Sequence, residues 1–395
     1  MRIVSVDVFR IKGNMGWNYV VCRVNTDEGI NGFGEVGVPF GTGNTGGFSM
    51  LADIARLIIG LDPMRIELIW ETIFRQAYWT TAGGAIEIGA MSGLDIALWD
   101  IKGKAYHMPV YELLGGKTRE KLRAYASQIM FDWEPKVSIP LTRTEDYARA
   151  AKKAVAEGFD CVKVDPVMID PKGRVMGVDA DWQTRGVMKN HVLSTAIERM
   201  NAVRDAVGPE VDIICELHGL TDTNTAIQLG REIDGLKCLC MEEPVIPLNV
   251  DSMVEIARSI KTPLAGGERI FTRWGYREFL EKRALRVLQP DLGTVGGLTE
   301  GKKVADMANI YDVFIQYHTC GSPIALAAAL QIEAVIPNFL IHEHLGRYGY
   351  DDTIATCTYN YQPKDGYFEI PDRPGIGQEL TEETMANADL RVTVK

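Results

Sequence analysis

The sequence lacks the marks of a secreted, disulfide-linked or membrane-spanning chain. Its seven cysteines are odd in number and form no Cys-x-x-Cys pair, so no disulfide framework is indicated. Cys215, Cys238 and Cys240 lie in apolar runs and are interpreted as buried core thiols. No run of about 18 apolar residues is present, and the alternating start MRIVSVDVFRIKG has no apolar signal-peptide core. We therefore expect no membrane partner and a cytoplasmic location.

Positive charge is also scarce. The chain has 42 Lys and Arg against 53 Asp and Glu, a net charge of −11, and the basic residues are scattered. This argues against nucleic acid and against an anionic membrane surface as partners. A small anionic substrate remains compatible with the composition, because a bound Mg²⁺ and a few Lys or Arg can reverse the field inside one pocket.

The length indicates more than one folding unit. A chain of 395 residues exceeds the usual size of a domain, and its 46% apolar and 24% charged fractions are ordinary for a globular protein. Residues 1–121 are predicted to form an α+β capping domain with a Gly-rich loop at residues 37–47. Its strands are predicted at Met1–Lys12, Tyr19–Asn25 and Gly32–Val36, and its helices at Ser49–Ile59, Ile66–Arg75 and Ala85–Gly103.

Strands and helices then alternate through residues 122–345, which predicts an α/β fold, a modified (β/α)8 TIM barrel. A long connection, residues 166–190, is predicted to be a surface insertion near the barrel mouth. The tail, residues 346–395, is predicted to pack back on the capping domain and complete it. The eight predicted strands are Leu122–Ser127, Cys161–Asp165, Val211–Glu216, Lys237–Glu242, Pro263–Glu268, Arg286–Asp291, Val313–His318 and Phe339–Glu343.

Three glutamates recur at 26-residue intervals, each at the end of a predicted strand: Glu216, Glu242 and Glu268. In a parallel barrel such strand ends converge, and three carboxylates at one point would repel each other unless a cation lay between them. Three oxygen ligands favour a hard divalent metal, so we predict one Mg²⁺ per subunit. Side-chain alternation and the equal intervals favour Glu242 over Glu243 as the inward-facing residue.

Ionisable residues also end most of the other predicted strands. Clustered charge costs desolvation energy, so this pattern indicates an active site rather than a structural barrel. Because adjacent strand ends can hydrogen-bond, the aspartate that ends the sixth strand can fix the tautomer of the histidine that ends the seventh. The residues concerned are Lys163, Asp165, His218, Asp291, His318 and Glu343.

The order of motifs resembles the enolase superfamily and, within it, the mandelate racemase subgroup. The resemblance covers essentially the whole chain, and it implies abstraction of the proton α to a carboxylate to give an enediolate held on Mg²⁺. Besides the three glutamates and the late His318, the motifs that carry it are GLDIALWDIKGKAYHMPVYELLGG (Gly93–Gly116), MEEPV, QPDLG from Gln289 and GGLTE from Gly296.

The resemblance also implies roles for the acid–base residues. His318 would be the general base, supported by Asp291, and His218 would be the acid that protonates a departing 3-hydroxyl group. Their roles would exchange if the C2 configuration of the substrate were inverted. Lys163 would contact the substrate carboxylate. Glu343 would be protonated, with a raised pKa, and would donate a hydrogen bond to the enolate oxygen.

One departure from the subgroup favours dehydration. Racemases of the subgroup resemble each other in a Lys-x-Lys motif whose second lysine is the opposing base, whereas this chain has Lys163-Val164-Asp165. We therefore predict a hydro-lyase that converts a sugar acid, such as D-gluconate, D-galactonate or D-mannonate, to the 2-keto-3-deoxy acid. An epimerase, a racemase or a cycloisomerase that uses the same enediolate is the alternative, and a catalytically silent sugar-acid binder is a third interpretation.

Two loops of the capping domain are implied, by the same resemblance, to close over the distal end of the substrate. They are Gly13–Tyr19 and Val36–Gly47. Trp17 in the first loop is expected to bind the substrate, although it would serve equally as a surface anchor. The family resemblance also predicts a homo-oligomer. The predicted substrate-binding residues are Trp17, Asp165, His218, His318 and Glu343.

Overall fold

The computed structural model describes residues 1–13, 16–80, 83–134, 138–176 and 180–395. Its strands are β1 (Ile3–Lys12), β2 (Asn18–Thr26), β3 (Asn31–Val36), β4 (Lys121–Ser127), β5 (Cys161–Val164), β6 (Asp212–Glu216), β7 (Cys240–Glu242), β8 (Leu264–Gly266), β9 (Val287–Leu288), β10 (Phe314–Ile315), β11 (His342–Leu345), β12 (Tyr367–Glu369) and β13 (Leu390–Val394).

The α-helices pack around these strands. They are α1 (Asn44–Ala55), α2 (Ile66–Gln76), α3 (Ala85–Ala105), α4 (Val110–Leu113), α5 (Thr144–Ala156), α6 (Asn190–Val207), α7 (Thr223–Ile233), α8 (Val250–Ser259), α9 (Thr272–Glu281), α10 (Gly297–Ile310), α11 (Pro323–Glu333), α12 (Asp351–Ala355) and α13 (Glu382–Ala386). Among the described helices, none has the length and apolar character that a membrane crossing requires.

The three N-terminal strands and the last strand of the chain form an antiparallel sheet in the order β13-β1-β2-β3. Helix α3 lies directly on β3, and two glycines allow this close approach. A Cβ atom at Gly34 would lie 1.9 Å from the Gly93 carbonyl oxygen, and one at Gly32 would lie 2.1 Å from the Ala97 carbonyl oxygen. Any larger residue at either position would therefore separate the helix from the sheet.

The capping domain and the tail each differ in one detail from the predicted arrangement. The predicted loop at residues 37–47 is shorter, because α1 begins at Asn44, whose side chain donates to the backbone oxygens of Asn18 (3.0 Å) and Val38. The tail does add β13 to the capping sheet, but its strand β12 pairs antiparallel with β4 of the second sheet. The tail thus contacts both parts of the chain.

The second sheet is a curled parallel sheet in the order β10-β9-β8-β7-β6-β5-β4-β11. These eight strands correspond to the eight predicted ones, although several are shorter, because the chain leaves the ladder before the predicted polar strand ends. Strands β10 and β11 are not joined by a continuous ladder, and one isolated bridge between Ile315 and Phe339 spans that gap. The structure thus confirms a capping domain and a curled parallel sheet, and closure into a complete barrel stays a prediction.

One buried apolar layer fills the inside of the curled sheet. It contains Tyr125, Cys161, Ile214, Cys240, Ala265, Val287 and Ile341, which come from successive strands. Because alternate residues of a strand face the same side, positions two residues further on also point inward. Those positions carry Ser127, Lys163, Glu216, Glu242, Gly267, Gln289 and Glu343. The polar layer above the core therefore follows from the register of the apolar one.

The capping domain is attached beside the strand that leads to His318. The buried carboxylate of Glu35 in β3 accepts hydrogen bonds from the backbone nitrogen (2.9 Å) and the hydroxyl (2.5 Å) of Ser322, the N-cap of α11. Burial raises the pKa of Glu35 to about 7, although the bonds from Ser322 oppose this shift. The capping domain thus holds the loop at residues 318–322 through hydrogen bonds between Glu35 and Ser322.

His344 faces away from the inside of the sheet, as alternation predicts, and its ring packs 5.7 Å from Phe159 and 5.5 Å from Phe368. Burial, with a smaller contribution from His342, lowers the pKa of His344 to about 3. The unfolded chain would bind this proton near pH 6.5, whereas the folded chain would not. The stability that the neutral ring contributes is therefore present above pH 6.5 and is lost as the pH falls from 6.5 toward 3.

We expect this histidine to steepen the acid destabilisation of the protein. Between pH 7.5 and 5.0 the wild type should lose about 2 kcal/mol more unfolding free energy than His344→Phe, which has no group to titrate there. Urea unfolding of both proteins at the two pH values measures this difference. Equal losses would show that His344 is protonated in the folded state or is not buried.

Candidate active site

Two carboxylate–imidazole pairs lie at the carboxyl ends of the parallel strands. The Nδ1 atom of His318 is 2.6 Å from an oxygen of Asp291, and the Nδ1 atom of His218 is 2.6 Å from an oxygen of Asp165. His218 follows β6 and His318 follows the strand β10, which is four strands away in an eight-stranded order. The two imidazoles therefore lie four strands apart along the same edge of the curled sheet.

The surrounding carboxylates keep both imidazoles basic. Burial lowers the pKa of His318, but Glu268 and Asp291 outweigh this effect and raise that pKa well above its usual value. The Nε2 atom of His318 is 3.2 Å from Glu268. Burial likewise opposes the charged form of His218, and Glu216 and Asp165 raise its pKa to about 9. Both shifts favour the protonated form of each ring, and a cation held by Glu216 and Glu268 would oppose them.

Asp165 has a different position from the one that the sequence suggested. We expected it to bind the substrate, but it is fully buried, and its second oxygen accepts hydrogen bonds from the backbone nitrogens of Val167 (2.8 Å) and Met168 (2.7 Å). Both oxygens are thus occupied behind His218. The sequence contained a signal for this pairing, because Asp165 and His218 each lie four residues beyond a member of the apolar layer.

Lys163 lies at the centre of the polar layer. Its buried Nζ atom is 2.7 Å from Glu242, 3.0 Å from Glu216 and 2.8 Å from Glu343. Burial alone would lower the pKa of Lys163, but Glu242 and Glu343 raise it well above its usual value. One permanent positive charge therefore faces three carboxylates.

Glu343 does not have the raised pKa that the sequence analysis expected. Burial would raise it, but the charges of Lys163 and His318 outweigh burial and lower the pKa of Glu343 to about 2. The carboxylate accepts hydrogen bonds from the Ser127 hydroxyl (2.7 Å) and from the backbone nitrogen of Thr319 (3.0 Å). In this arrangement Glu343 accepts hydrogen bonds rather than donating them, and its expected role as the donor to an enolate oxygen stays a prediction.

The three glutamates predicted as metal ligands do not form a preassembled triad. Among the described residues, no group of three or more His, Cys, Asp or Glu side chains is arranged to hold a metal ion. Lys163 takes the central place beside Glu216 and Glu242, and Glu268 pairs with His318 instead. Glu268 follows Gly267 just beyond the end of β8, so it is partly exposed (19%), whereas the other two glutamates are buried.

The chemistry of these residues nevertheless fits a hard divalent cation. One oxygen of Glu242 and one of Glu216 are buried with no hydrogen-bond partner in the described part of the chain, although Lys163 lies near the latter. A single lysine does not neutralise the surrounding carboxylates, and unpartnered buried oxygens need a cation or a proton. Glu216, Glu242 and Glu268 are therefore the residues that would hold a metal ion. As predicted, Glu243 is not among them, because it pairs with Arg269 instead.

Trp17 lies where the capping domain meets the end of β11. Its ring is 5.7 Å from Phe40 of the second cap loop, and the Arg347 guanidinium lies 3.6 Å above it. Residues 14 and 15 of the first cap loop lie outside the described residues. The Nη2 atom of Arg347 also donates to the Tyr19 hydroxyl (3.3 Å). No sequence pattern pointed to Arg347, which follows Glu343 by four residues.

The curled parallel sheet, the capping domain and the two carboxylate–imidazole pairs at the strand ends are together typical of an α/β enzyme. The region 146–384 matches the family model described as enolase C-terminal domain-like, and the region 11–115 matches the N-terminal domain of mandelate racemase and muconate lactonizing enzyme. The chain belongs to this mandelate racemase and muconate lactonizing enzyme family of the enolase superfamily, as the motifs predicted.

Curated relatives cover nearly the whole chain. A D-galactonate dehydratase of Variovorax paradoxus is 32% identical over 98% of this chain and 94% of its own length. A D-galactonate dehydratase of Pectobacterium atrosepticum is 31% identical over 97% and 93%. A crystal structure of an enolase superfamily member from Salmonella Typhimurium is 50% identical, with a TM-score of 0.97 and complete coverage of both chains. These relatives confirm the prediction of an enzyme of the hydro-lyase class.

Proposed function

We propose that the protein dehydrates a sugar acid to the 2-keto-3-deoxy acid, with an aldonate such as D-galactonate, D-gluconate or D-mannonate as substrate. The observation that carries the proposal is the pair of histidines, each 2.6 Å from its own aspartate. Elimination of water needs a base at C2 and an acid at the 3-hydroxyl group, and two such groups supply both. The D-galactonate dehydratases among the relatives support the same reaction.

The residues would divide the reaction between them. His318 removes the C2 proton at its Nε2 atom, and Asp291 fixes the tautomer and stabilises the imidazolium that forms. His218, held in the same way by Asp165, gives its proton to the leaving 3-hydroxyl group. The enol then tautomerises to the keto acid. For a substrate of the opposite C2 configuration, the two histidines would exchange these roles.

Charge stabilisation would come from Lys163 and from a bound metal. Glu216, Glu242 and Glu268 would hold Mg²⁺, which supplies electrophilic stabilisation of the substrate carboxylate as negative charge develops. Lys163 adds a fixed positive charge in the same buried layer. In its ionised form Glu343 would orient Lys163, and its carboxylate lies 3.9 Å from the Nε2 atom of His318. Trp17 would contact the distal end of the substrate.

A second function is favoured by one specific observation. The two histidines have equivalent aspartate partners, and that symmetry suits proton removal on one face and return on the other, which is epimerisation. The missing second lysine of the racemase motif therefore does not exclude a two-base reaction, since His218 can serve as the opposing base.

The cytoplasmic location, the homo-oligomer and the domain limits at residues 121 and 345 stay predictions.

The two functions differ in their products. We would incubate the protein and Mg²⁺ with a panel of aldonates, uronates and aldarates, beginning with D-galactonate, and follow semicarbazide-reactive keto acid together with deuterium incorporation at C2. Keto acid from one or two diastereomers supports dehydration. If no acid of the panel gave keto acid but at least one incorporated deuterium at C2, dehydration would be rejected in favour of epimerisation.

We expect His218→Asn to separate the two half-reactions on the accepted substrate. Keto acid formation should fall by about 10²-fold to 10⁴-fold because the acid for the leaving group is lost, whereas C2 exchange should continue through His318. Parallel assays of keto acid and deuterium incorporation measure this split. Loss of both exchange and elimination would assign the base role to His218 instead.

A further inference from the structure

The insertion between β5 and α6 contacts the loop that carries His218. Residues 184–186 of the insertion lie against residues 219–224. Thr184 Oγ1 donates to the Leu220 carbonyl oxygen at 2.8 Å, and Arg185 donates to the carbonyl oxygens of Gly219 (Nη2, 2.8 Å) and Leu220 (Nε, 3.2 Å). Beyond these, the Gly186 nitrogen donates to Asp222, and Asn224 donates to the Gly186 carbonyl oxygen.

The backbone at His218 needs this support. His218 has φ = 45° and Gly219 has φ = 63°, so two consecutive residues occupy the left-handed region, which is uncommon for residues other than glycine. The nitrogens of this turn are fixed from the sheet side, since the His218 nitrogen donates to Glu216 (2.9 Å) and the Gly219 nitrogen to the Glu243 carbonyl oxygen (2.7 Å). The carbonyl oxygens of Gly219 and Leu220 point the other way, toward Arg185.

Buried contacts hold the part of the insertion that flanks Arg185. Trp182 is buried, packs with Met188 and Val192, and donates from its Nε1 atom to the Val167 carbonyl oxygen at 2.8 Å. The Arg199 guanidinium lies 5.5 Å from the Trp182 ring. Residues 184–186 thus lie between two anchored positions, Trp182 and Met188. Arg185 is exposed, but its backbone is held on both sides.

We propose that Arg185 is a positioning residue for His218, and that the insertion exists to hold the turn at residues 218–220 in its left-handed conformation. The inference rests on the proposed function, because it assigns Arg185 to the step that His218 performs. The Asp165 carboxylate orients the imidazole ring, and Arg185 holds the backbone from which the ring projects. Together they place the Nε2 atom relative to the substrate.

The test compares Arg185→Ala with His218→Asn in the complete protein. A small displacement of a catalytic group lowers the rate by up to about 10²-fold, so keto acid formation by Arg185→Ala should show a kcat on the order of 10-fold to 100-fold lower. The KM and the thermal unfolding temperature should remain close to those of the wild type. Arg185→Ala should weaken keto acid formation, the half-reaction that His218→Asn loses. Deuterium exchange at C2 should continue.

Two further variants make the test specific. Arg185→Lys keeps the charge but cannot reach both carbonyl oxygens with a planar group, so it should recover only part of the lost rate. Lys189→Ala removes a nearby cation that contacts Asp181 (3.3 Å) rather than the His218 turn, and it should leave both half-reactions unchanged.

Each outcome decides between interpretations. Equal losses of exchange and elimination in Arg185→Ala would overturn the inference, because they would indicate a general structural defect. An unchanged kcat in Arg185→Ala, with elimination abolished in His218→Asn, would overturn the inference and leave the proposed function intact. If His218→Asn itself kept full activity, the proposed function and the inference would both be rejected.

Discussion

His318→Asn should abolish both deuterium exchange at C2 and keto acid formation, with kcat lower by at least about 10³-fold. Asparagine can keep a hydrogen bond to Asp291 but has no group that accepts a proton at neutral pH. Every later step depends on the C2 proton having been removed, so no partial reaction should survive. This result would differ from that of His218→Asn, in which exchange continues.

The control for His318→Asn is His191→Asn. His191 is exposed in α6, and its Nε2 atom lies 2.7 Å from the Asp181 carbonyl oxygen rather than beside an acid–base carboxylate. Its replacement should leave exchange and elimination unchanged. Residual exchange in His318→Asn, at more than one-tenth of the wild-type rate, would contradict the base assignment. The thermal unfolding temperature of each variant shows whether a loss of activity reflects a loss of structure.

The parts of the site that lie within strands were predictable from the sequence. Lys163, Glu216, Glu242 and Glu343 each lie two residues beyond an apolar residue of the inner layer, and strand alternation alone places them inward. The pairing of Asp291 with His318 was predicted from adjacent strand ends. In the structure the Nδ1 atom of His318 lies 2.6 Å from an oxygen of Asp291.

The details that the sequence did not predict depend on tertiary contacts. Glu268 shares the 26-residue spacing, but it lies beyond the end of β8, where alternation no longer fixes its direction. The ionised state of Glu343 depends on how close Lys163 comes, and no spacing rule gives that distance. The role of Arg185 depends on the path of a long insertion, which local patterns do not determine.

The balance of charge bears on how this site would bind the proposed anionic substrate. Lys163 is the positive charge nearest Glu216, Glu242 and Glu343, and both proposed acid–base histidines are themselves beside carboxylates. An anionic substrate would be repelled by this arrangement without a further cation. Replacing Lys163 should therefore show how much the stability of the protein depends on positive charge beside these carboxylates.

Lys163→Met should lower the unfolding free energy by about 3–5 kcal/mol when divalent ions are removed with EDTA, because it leaves buried carboxylates without their cation. Added Mg²⁺ should then raise the unfolding temperature of the variant more than that of the wild type, since a cation that binds the folded state stabilises it by mass action. Sugar-acid turnover should be lost in both conditions, because the positive contact to the substrate carboxylate is absent.

The matched control is Lys302→Met, which removes a lysine that pairs with Asp306 on the surface of α10 at 2.6 Å. Such an exposed pair contributes at most about 1 kcal/mol, and its loss should not change the response to Mg²⁺. Thermal unfolding of the three proteins, with EDTA and with Mg²⁺, gives the comparison.

If Mg²⁺ raised the unfolding temperature of Lys163→Met no more than that of the wild type, the three glutamates would not be the metal site. If Lys163→Met were as stable as Lys302→Met in EDTA, protonation of Glu242 would be sufficient to balance the cluster, because burial and Glu216 already raise the pKa of Glu242 well above its usual value.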